Sequence, residues 1–258
     1  MRKMKKEYEI SADIDQVYVV TVDRFKERIK HIEQELPKHG IPFKFFYEHE
    51  TPNLDEDIKV KFNTDLKYGY KANVLQHVAL WKDAVKNNYR RILVFEDDVM
   101  LHEKFNYHFE RLMNEIKKLP PDYVVFLGGA DTKVPEDFFL SKGLIYPLPI
   151  ATSEGLVMDL AGIKRRLGWI DQNKIHCPID HLIAHIDKTQ KAPSYWSKIP
   201  LTEQASIIGK IKSELDSHRL KHGELFNRCR YYWNKFQRRQ LRFYIVNFKH
   251  QFRRIFID

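Results

Sequence analysis

Two things are scarce in this chain of 258 residues: cysteine and uninterrupted apolar sequence. Cys177 and Cys229 are too few for a disulfide framework and lack metal-ligand spacing. No run approaches the roughly 18 uncharged apolar residues that a membrane-spanning helix needs. The start, Met1-Arg2-Lys3-Met4-Lys5-Lys6-Glu7-Tyr8, is basic but has no apolar segment behind it, so it does not read as a secretory signal. Repeats and low-complexity segments are absent. With 43% hydrophobic and 31% charged residues, the composition excludes a disordered chain, a collagen and an integral membrane protein. These absences predict a reduced, cytoplasmic protein made of one large domain, or of one domain with an appendage.

Acidic residues are nearly missing from one region. Residues 219–258 hold eleven Lys or Arg against only Glu224 and Asp258, a surplus of nine that equals the net charge of the whole chain, +9. Residues 1–218 therefore balance at 33 charges of each sign. This asymmetry divides the chain into a neutral body, 1–218, and a basic helical tail, 219–258.

Strand and helix patterns alternate along the body. Val17 to Val22 is β-branched and apolar, as in a buried strand. Asp23 follows as a candidate N-cap of a helix carrying Phe25, Ile29, Ile32 and Leu36 at helical spacing. Phe43 to Tyr47 reads as a second strand, and Glu48 to Lys67 as a long loop of the kind that often serves binding. Ala72 to Val85 is helical, Arg91 to Phe95 a strand, Phe105 to Leu119 a helix and Tyr123 to Leu127 a strand ending at Gly128-Gly129. Leu144 to Ile150 holds two prolines and belongs at a sheet edge. Helices are expected at Gly155–Leu167 and Ile179–Asp187. The order predicts an α/β fold with a mainly parallel, Rossmann-like sheet flanked by helices, and ligands at the carboxyl ends of its strands.

That rule selects the informative side chains. Glu96-Asp97-Asp98 directly follows the strand Ile92 to Phe95. Three adjacent carboxylates repel one another, and one or two can hold a divalent cation that also takes diphosphate oxygens. In an extended chain, residues 96 and 98 point one way and 97 the other. The structural alternatives are an acidic turn capping the next helix, or a phosphate-accepting pocket. Thr21, Asp23 and Arg28 could hold a base and ribose, or Asp23 could simply cap a helix beside an exposed Arg28. No G-x-G-x-x-G occurs in this turn, which weighs against a dinucleotide cofactor. His77, alone on its helix, reads equally as a core residue. Asp180 in Pro178-Ile179-Asp180 serves a helix start in its bland reading, and Pro200 to Ser206 is otherwise a surface connector.

Together these segments resemble glycosyltransferase family 25, the group that includes bacterial lipopolysaccharide and lipooligosaccharide galactosyltransferases. The resemblance covers roughly residues 16–210. It rests on strand 17–22 with Asp23, Arg24 and Arg28, on His77, and on Ile92 to Val99. Further support comes from Ala151 to Leu167, Pro178-Ile179-Asp180 and Pro200 to Ser206. The chain departs from the family where Gln76-His77 replaces Ser-His, and where Tyr70-Lys71-Ala72-Asn73 replaces an acidic, Gly, Cys run.

The resemblance implies a GT-A fold, a UDP-hexose donor (UDP-galactose or UDP-glucose), a lipopolysaccharide or lipooligosaccharide core acceptor, and inversion at the anomeric carbon. It also implies Mn²⁺ or Mg²⁺ on Asp98 and Glu96. Donor contacts would come from Thr21, Asp23, Arg28, His77, Glu96, Asp97 and Gln204. Asp180 matches the family pattern for the general base, with Glu154 and Asp131 as alternatives. A nucleic-acid-binding module is the competing class, because Tyr231, Tyr232, Trp233, Phe236 and Phe243 interleave with the tail's basic residues. A catalytically silent scaffold is a third. The tail, with Tyr232, Phe236, Leu241, Ile245, Phe248, Phe252 and Phe256 at three- to five-residue steps, predicts one or two helices. Those helices could lie on an anionic membrane at the inner face of the inner membrane, pack on the body, or pair two subunits.

Overall fold

The computed structural model describes residues 8–47, 55–63, 65–148, 152–211 and 223–256. Among the described residues, seven strands form the central sheet: β1 (Gln16–Val20), β2 (Lys44–Phe46), β3 (Arg91–Glu96), β5 (Val124–Phe126), β6 (Ile145–Tyr146), β7 (Gly155–Asp159) and β8 (Ser194–Ser197), in the order β2-β1-β3-β7-β5-β8-β6. β2, β1, β3, β5 and β8 share one direction, while β7 and the edge strand β6 run against it. The sheet is thus mixed α/β with a mostly parallel strand set. A separate ribbon pairs β4 (Val99–Leu101) with β9 (Thr202–Gln204).

The helices of the body are α1 (Lys26–Glu35), α2 (Asp55–Lys61), α3 (Tyr68–Lys86), α4 (Phe105–Ile116), α5 (Glu136–Leu140), α6 (Leu160–Gln172) and α7 (Ile179–Thr189). Alternation along the strands divides the core between the two sheet faces. Tyr18, Val20, Ile92, Val94, Leu156 and Met158 meet residues of α3, α6 and α7 on one face. Val17, Val19, Leu93, Phe95 and Val157 meet residues of α1 and α4 on the other.

Several sequence expectations change. Gly155 to Asp159 is strand β7, not the start of a helix: it lies antiparallel between β3 and β5, with all five residues buried. The apolar run Gly155-Leu156-Val157-Met158 has the same look in a buried strand as in a buried helix. The helix begins only at Leu160, where the Asp159 side chain caps it by accepting from the Gly162 N–H. Asp23 is not an N-cap, because α1 starts at Lys26 and its cap position, Phe25, makes no side-chain cap bond. Within the expected loop from Glu48 to Lys67 the chain forms α2, and Phe62 bridges to Ile175; residues 48–54 and 64 lie outside the described residues. The acidic triplet caps no helix, since β4 follows it.

The basic tail is helical: α8 (Glu224–Lys235), a π-helical turn Phe236–Leu241, and α9 (Arg242–Phe256). The proposed division at residue 218 lies outside the described residues. No helix among the described residues is long and apolar enough to cross a membrane.

Candidate active site

The carboxyl ends of β1 and β3 open into a cleft of about 740 Å³. β3 ends at Glu96, and the chain then turns through Asp97 and Asp98 into β4. That turn cancels the strand alternation beyond Glu96, so all three carboxylates line the cleft instead of Asp97 facing away. Each has a different neighbourhood. Asp97 is buried and accepts from Thr21 Oγ1 at 2.7 Å and from the Arg28 guanidinium at 2.5 Å. Burial pushes its carboxyl up, and Arg28 opposes that shift. Glu96 accepts from Ser153 Oγ and from Gln204 Nε2, one on each oxygen. Burial, and then the charge of Asp98, raise its carboxyl to about 8. Asp98 is buried as well, yet its Oδ1 has no hydrogen-bond partner.

The opposite wall is built on a glycine pair. Glu154 is buried and accepts from the Gly129 N–H at 2.7 Å. A β-carbon at Gly128 would lie 1.9 Å from Glu154 Oε1, so only glycine lets this carboxylate occupy the wall. Gly129 has φ +73°, in the left-handed region that favours glycine. Burial lifts the Glu154 carboxyl to about 7, with the Gly129 N–H pulling the other way and Asp98 adding a smaller upward push. Asp131 and Asp180 also line the cleft. Asp180 sits in the first turn of α7, where its Oδ1 accepts from the His181 N–H.

The C-terminal helices close this wall from outside. Arg239 stacks over the Trp196 ring at 4.3 Å and the Phe138 ring at 4.9 Å, and donates to the carbonyls of Gly129 and Ala130. Arg238 donates to the Asp131 carbonyl, and Trp196 Nε1 to that of Gly128. Lys235 pairs with Glu203 of β9. The backbone of residues 128–131 is therefore held by side chains from α8's π-helical continuation and from β8.

Most of the residues expected from the sequence converge here: Thr21, Arg28, Glu96, Asp97, Asp98, Asp131, Glu154, Asp180 and Gln204 all line the cleft. Two do not. His77 is fully buried in α3, neither ring nitrogen has a partner, and burial pulls its pKa down to about 3. Its ring meets Trp81 instead. The helix turns one step further than that expectation allows, so Ala72, Asn73 and Gln76 face the cleft, and Gln76 Nε2 donates to the Thr21 carbonyl. Asp23 points out of the cleft to a surface pair with Lys26. Ser153, Gln76, Lys67, Tyr68 and Arg24 also line the cleft, and none of them is among the site residues expected from the sequence. The helical spacing of Ala72, Asn73 and Gln76 was the available signal for one of these.

The donor set admits a divalent cation at Asp98, whose buried oxygen lacks any partner. It does not favour direct ligation by Glu96, whose two oxygens already accept from Ser153 and Gln204. Among the described residues no group of three or more His, Cys, Asp or Glu side chains is placed to hold a metal ion. A cation here would take most of its oxygens from a ligand and water, as Mg²⁺-type ions bound with phosphates do.

Comparison with known proteins gives this cleft a context. Residues 14–134 match the sequence model of glycosyltransferase family 25, described as LPS biosynthesis protein. A Haemophilus influenzae protein that carries a glycosyltransferase name is 29% identical over 180 residues, 64% of this chain and 61% of its own length. The chain thus spans about three fifths of that relative. The lipooligosaccharide biosynthesis protein lic2B of Haemophilus influenzae is 31% identical over 91 residues, 33% of this chain and 34% of that one. A mouse relative, named inactive glycosyltransferase 25 family member 3, is 28% identical over 145 residues, 50% of this chain and 24% of that one. The matched segment includes the strand end with Thr21 and Arg28 and the whole Glu96-Asp97-Asp98 turn. Over residues 14–134, a little under half of its length, the chain is similar to glycosyltransferase family 25.

Proposed function

We propose that this chain is an inverting, GT-A-type glycosyltransferase that moves galactose or glucose from a UDP-sugar onto a lipopolysaccharide or lipooligosaccharide core. One observation carries the reading: Asp98 is a buried carboxylate with an unpartnered oxygen, facing a cleft at the carboxyl ends of β1 and β3. A desolvated, unsatisfied anion is costly unless a cation completes it. Arg24 and Lys67 line the same cleft and supply positive charge for a diphosphate.

In this reading Thr21, Asp97 and Arg28 form a rigid hydrogen-bonded wall for the nucleoside, braced by Gln76 on the Thr21 carbonyl. Glu96 is held by Ser153 and Gln204 and faces the donor's hydroxyls rather than the ion. A bound Mn²⁺ or Mg²⁺ at Asp98 supplies neutralisation of the charge that develops on the departing diphosphate. Asp180 takes the proton of the acceptor hydroxyl as that oxygen bonds to the anomeric carbon. The carbon–oxygen bond to the diphosphate breaks on the opposite face, which inverts the centre. Glu154 and Asp131 shape the acceptor side, and the intact triplet favours an active enzyme over a silent scaffold. A nucleic-acid role draws less support from the tail, since three of its basic residues, Lys235, Arg238 and Arg239, turn inward to the body.

Turnover of UDP-galactose and UDP-glucose with a core oligosaccharide acceptor, with Mn²⁺ and with EDTA, tests the proposal. Metal-dependent release of UDP from one of them is expected. Absence of turnover of either sugar nucleotide, with metal and without, overturns it.

A further inference from the structure

We infer that the outward face of the two C-terminal helices is a docking surface for an anionic lipid bilayer. Residues 224–256 hold nine Lys or Arg against the single acid Glu224. These helices have two distinct faces. The inner one runs through Asn227, Tyr231, Lys235 and Arg239 at steps of four residues, then through Val246 seven residues on. Asn227, Tyr231 and Val246 are buried, while Lys235 and Arg239 bond to the body.

The outer face is apolar and exposed among the described residues. In α8 it passes through Leu225, Tyr232 and Phe236, with Trp233 beside them at 58% exposure. In α9 it continues from Leu241 at the end of the π turn to Ile245 and Phe248, the last 69% exposed. The steps within each helix are three, four or seven residues, but the step from Phe236 to Leu241 is five. An ordinary α-helix would rotate the stripe off its face at that step. The π-helical turn Phe236–Leu241, whose bonds run i to i+5, absorbs the extra residue and keeps both halves of the stripe aligned.

Such a face, apolar along its centre with Arg228 and Arg230 exposed beside it, matches a helix lying in the plane of a negatively charged bilayer. An acidic protein partner would complement the charge but not so long a run of exposed rings. The inner face of the same helices grips residues 129–131 of the cleft wall, so a bilayer on the outer face would lie about one helix diameter, ~10 Å, beyond that wall. This surface does not depend on the transfer chemistry, and its test uses no turnover.

The experiment is co-sedimentation of the full chain with phosphatidylcholine vesicles, with and without phosphatidylglycerol, alongside its Trp233→Glu/Phe248→Glu variant. Light scattering of each protein without lipid runs in parallel, and circular dichroism verifies the fold. The full chain is expected to bind only the vesicles containing phosphatidylglycerol, and less in high salt. The variant should lose at least about tenfold in partition coefficient, as expected when two buried aromatic side chains are replaced by charges. If that variant fails to fold, Arg228→Glu/Arg230→Glu replaces it, with the same loss expected. Equal binding by wild type and variant, or binding by neither, overturns the inference. So does a lipid-free dimer that the variant dissociates while no vesicle binding occurs, because the face would then belong to a second copy.

Discussion

Replacing Glu154 with glutamine keeps the side chain's shape and its acceptor for the Gly129 N–H, and removes only the charge. The wild-type carboxyl is held at about 7 against 4.5, chiefly by burial. The folded state therefore prefers the proton. This group's contribution is fullest below about 4.5 and is lost as pH rises through about 7. Ionising it in place at pH 8 costs about 3 kcal/mol, of which about 2 to 3 kcal/mol accrues between pH 5 and pH 8. For a chain of this size that amounts to a fall in Tm of about 5 to 10 °C over the same interval. Thermal unfolding of EDTA-treated protein, followed by circular dichroism at pH 5, 6, 7 and 8, reads it. Glu154→Gln should unfold at a higher temperature than wild type at pH 8, match it near pH 5, and show the shallower dependence. Parallel curves for the two proteins across the whole range would refute the reasoning, because the buried carboxylate would then carry no ionisation cost.

Other perturbations separate the roles of the cleft residues. Asp180→Asn should lower kcat by about two orders of magnitude or more while leaving UDP affinity near wild type, measured by steady-state kinetics and calorimetry. Gly128→Ala should force Glu154 from its place, since the new methyl would overlap the carboxylate; turnover and Tm should both fall. Arg239→Ala removes the stack on Trp196 and Phe138 and the bonds to residues 129 and 130, and should raise KM and loosen the wall; hydrogen exchange of the Gly129 N–H reports the second effect.

Much of this site was legible because strand ends announce themselves. The β-branched runs at Val17 to Val22 and Ile92 to Phe95 placed Thr21 and the acidic triplet at adjacent carboxyl ends, and β1 and β3 do pair in parallel. What failed was local and rotational. Alternation gave the wrong direction for Asp97, because regular strand geometry stops at Glu96. His77 and Gln76 differ by one residue, about 100° around a helix, and sequence alone did not fix which of them met the cleft. Asp23 looked like a cap because it precedes a helical pattern, yet α1 begins at Lys26. Strand β7 reads as helix from sequence alone because three apolar residues after a glycine suit either state, and its antiparallel insertion depends on contacts with β3 and β5. The irregular stripe of the tail was visible as a five-residue step, but only the π turn at Phe236–Leu241 gives that step a physical meaning.

The proposal stands or falls on whether the cleft takes a nucleoside diphosphate through Asp98. Calorimetric titration of UDP into EDTA-treated protein, with and without added Mn²⁺, for wild type and Asp98→Ala, measures this directly. Wild type should bind UDP far more tightly with Mn²⁺ than without it, and Asp98→Ala should abolish that difference. Failure of wild type to bind UDP under either condition, or an equal Mn²⁺ effect in Asp98→Ala, would contradict the assignment.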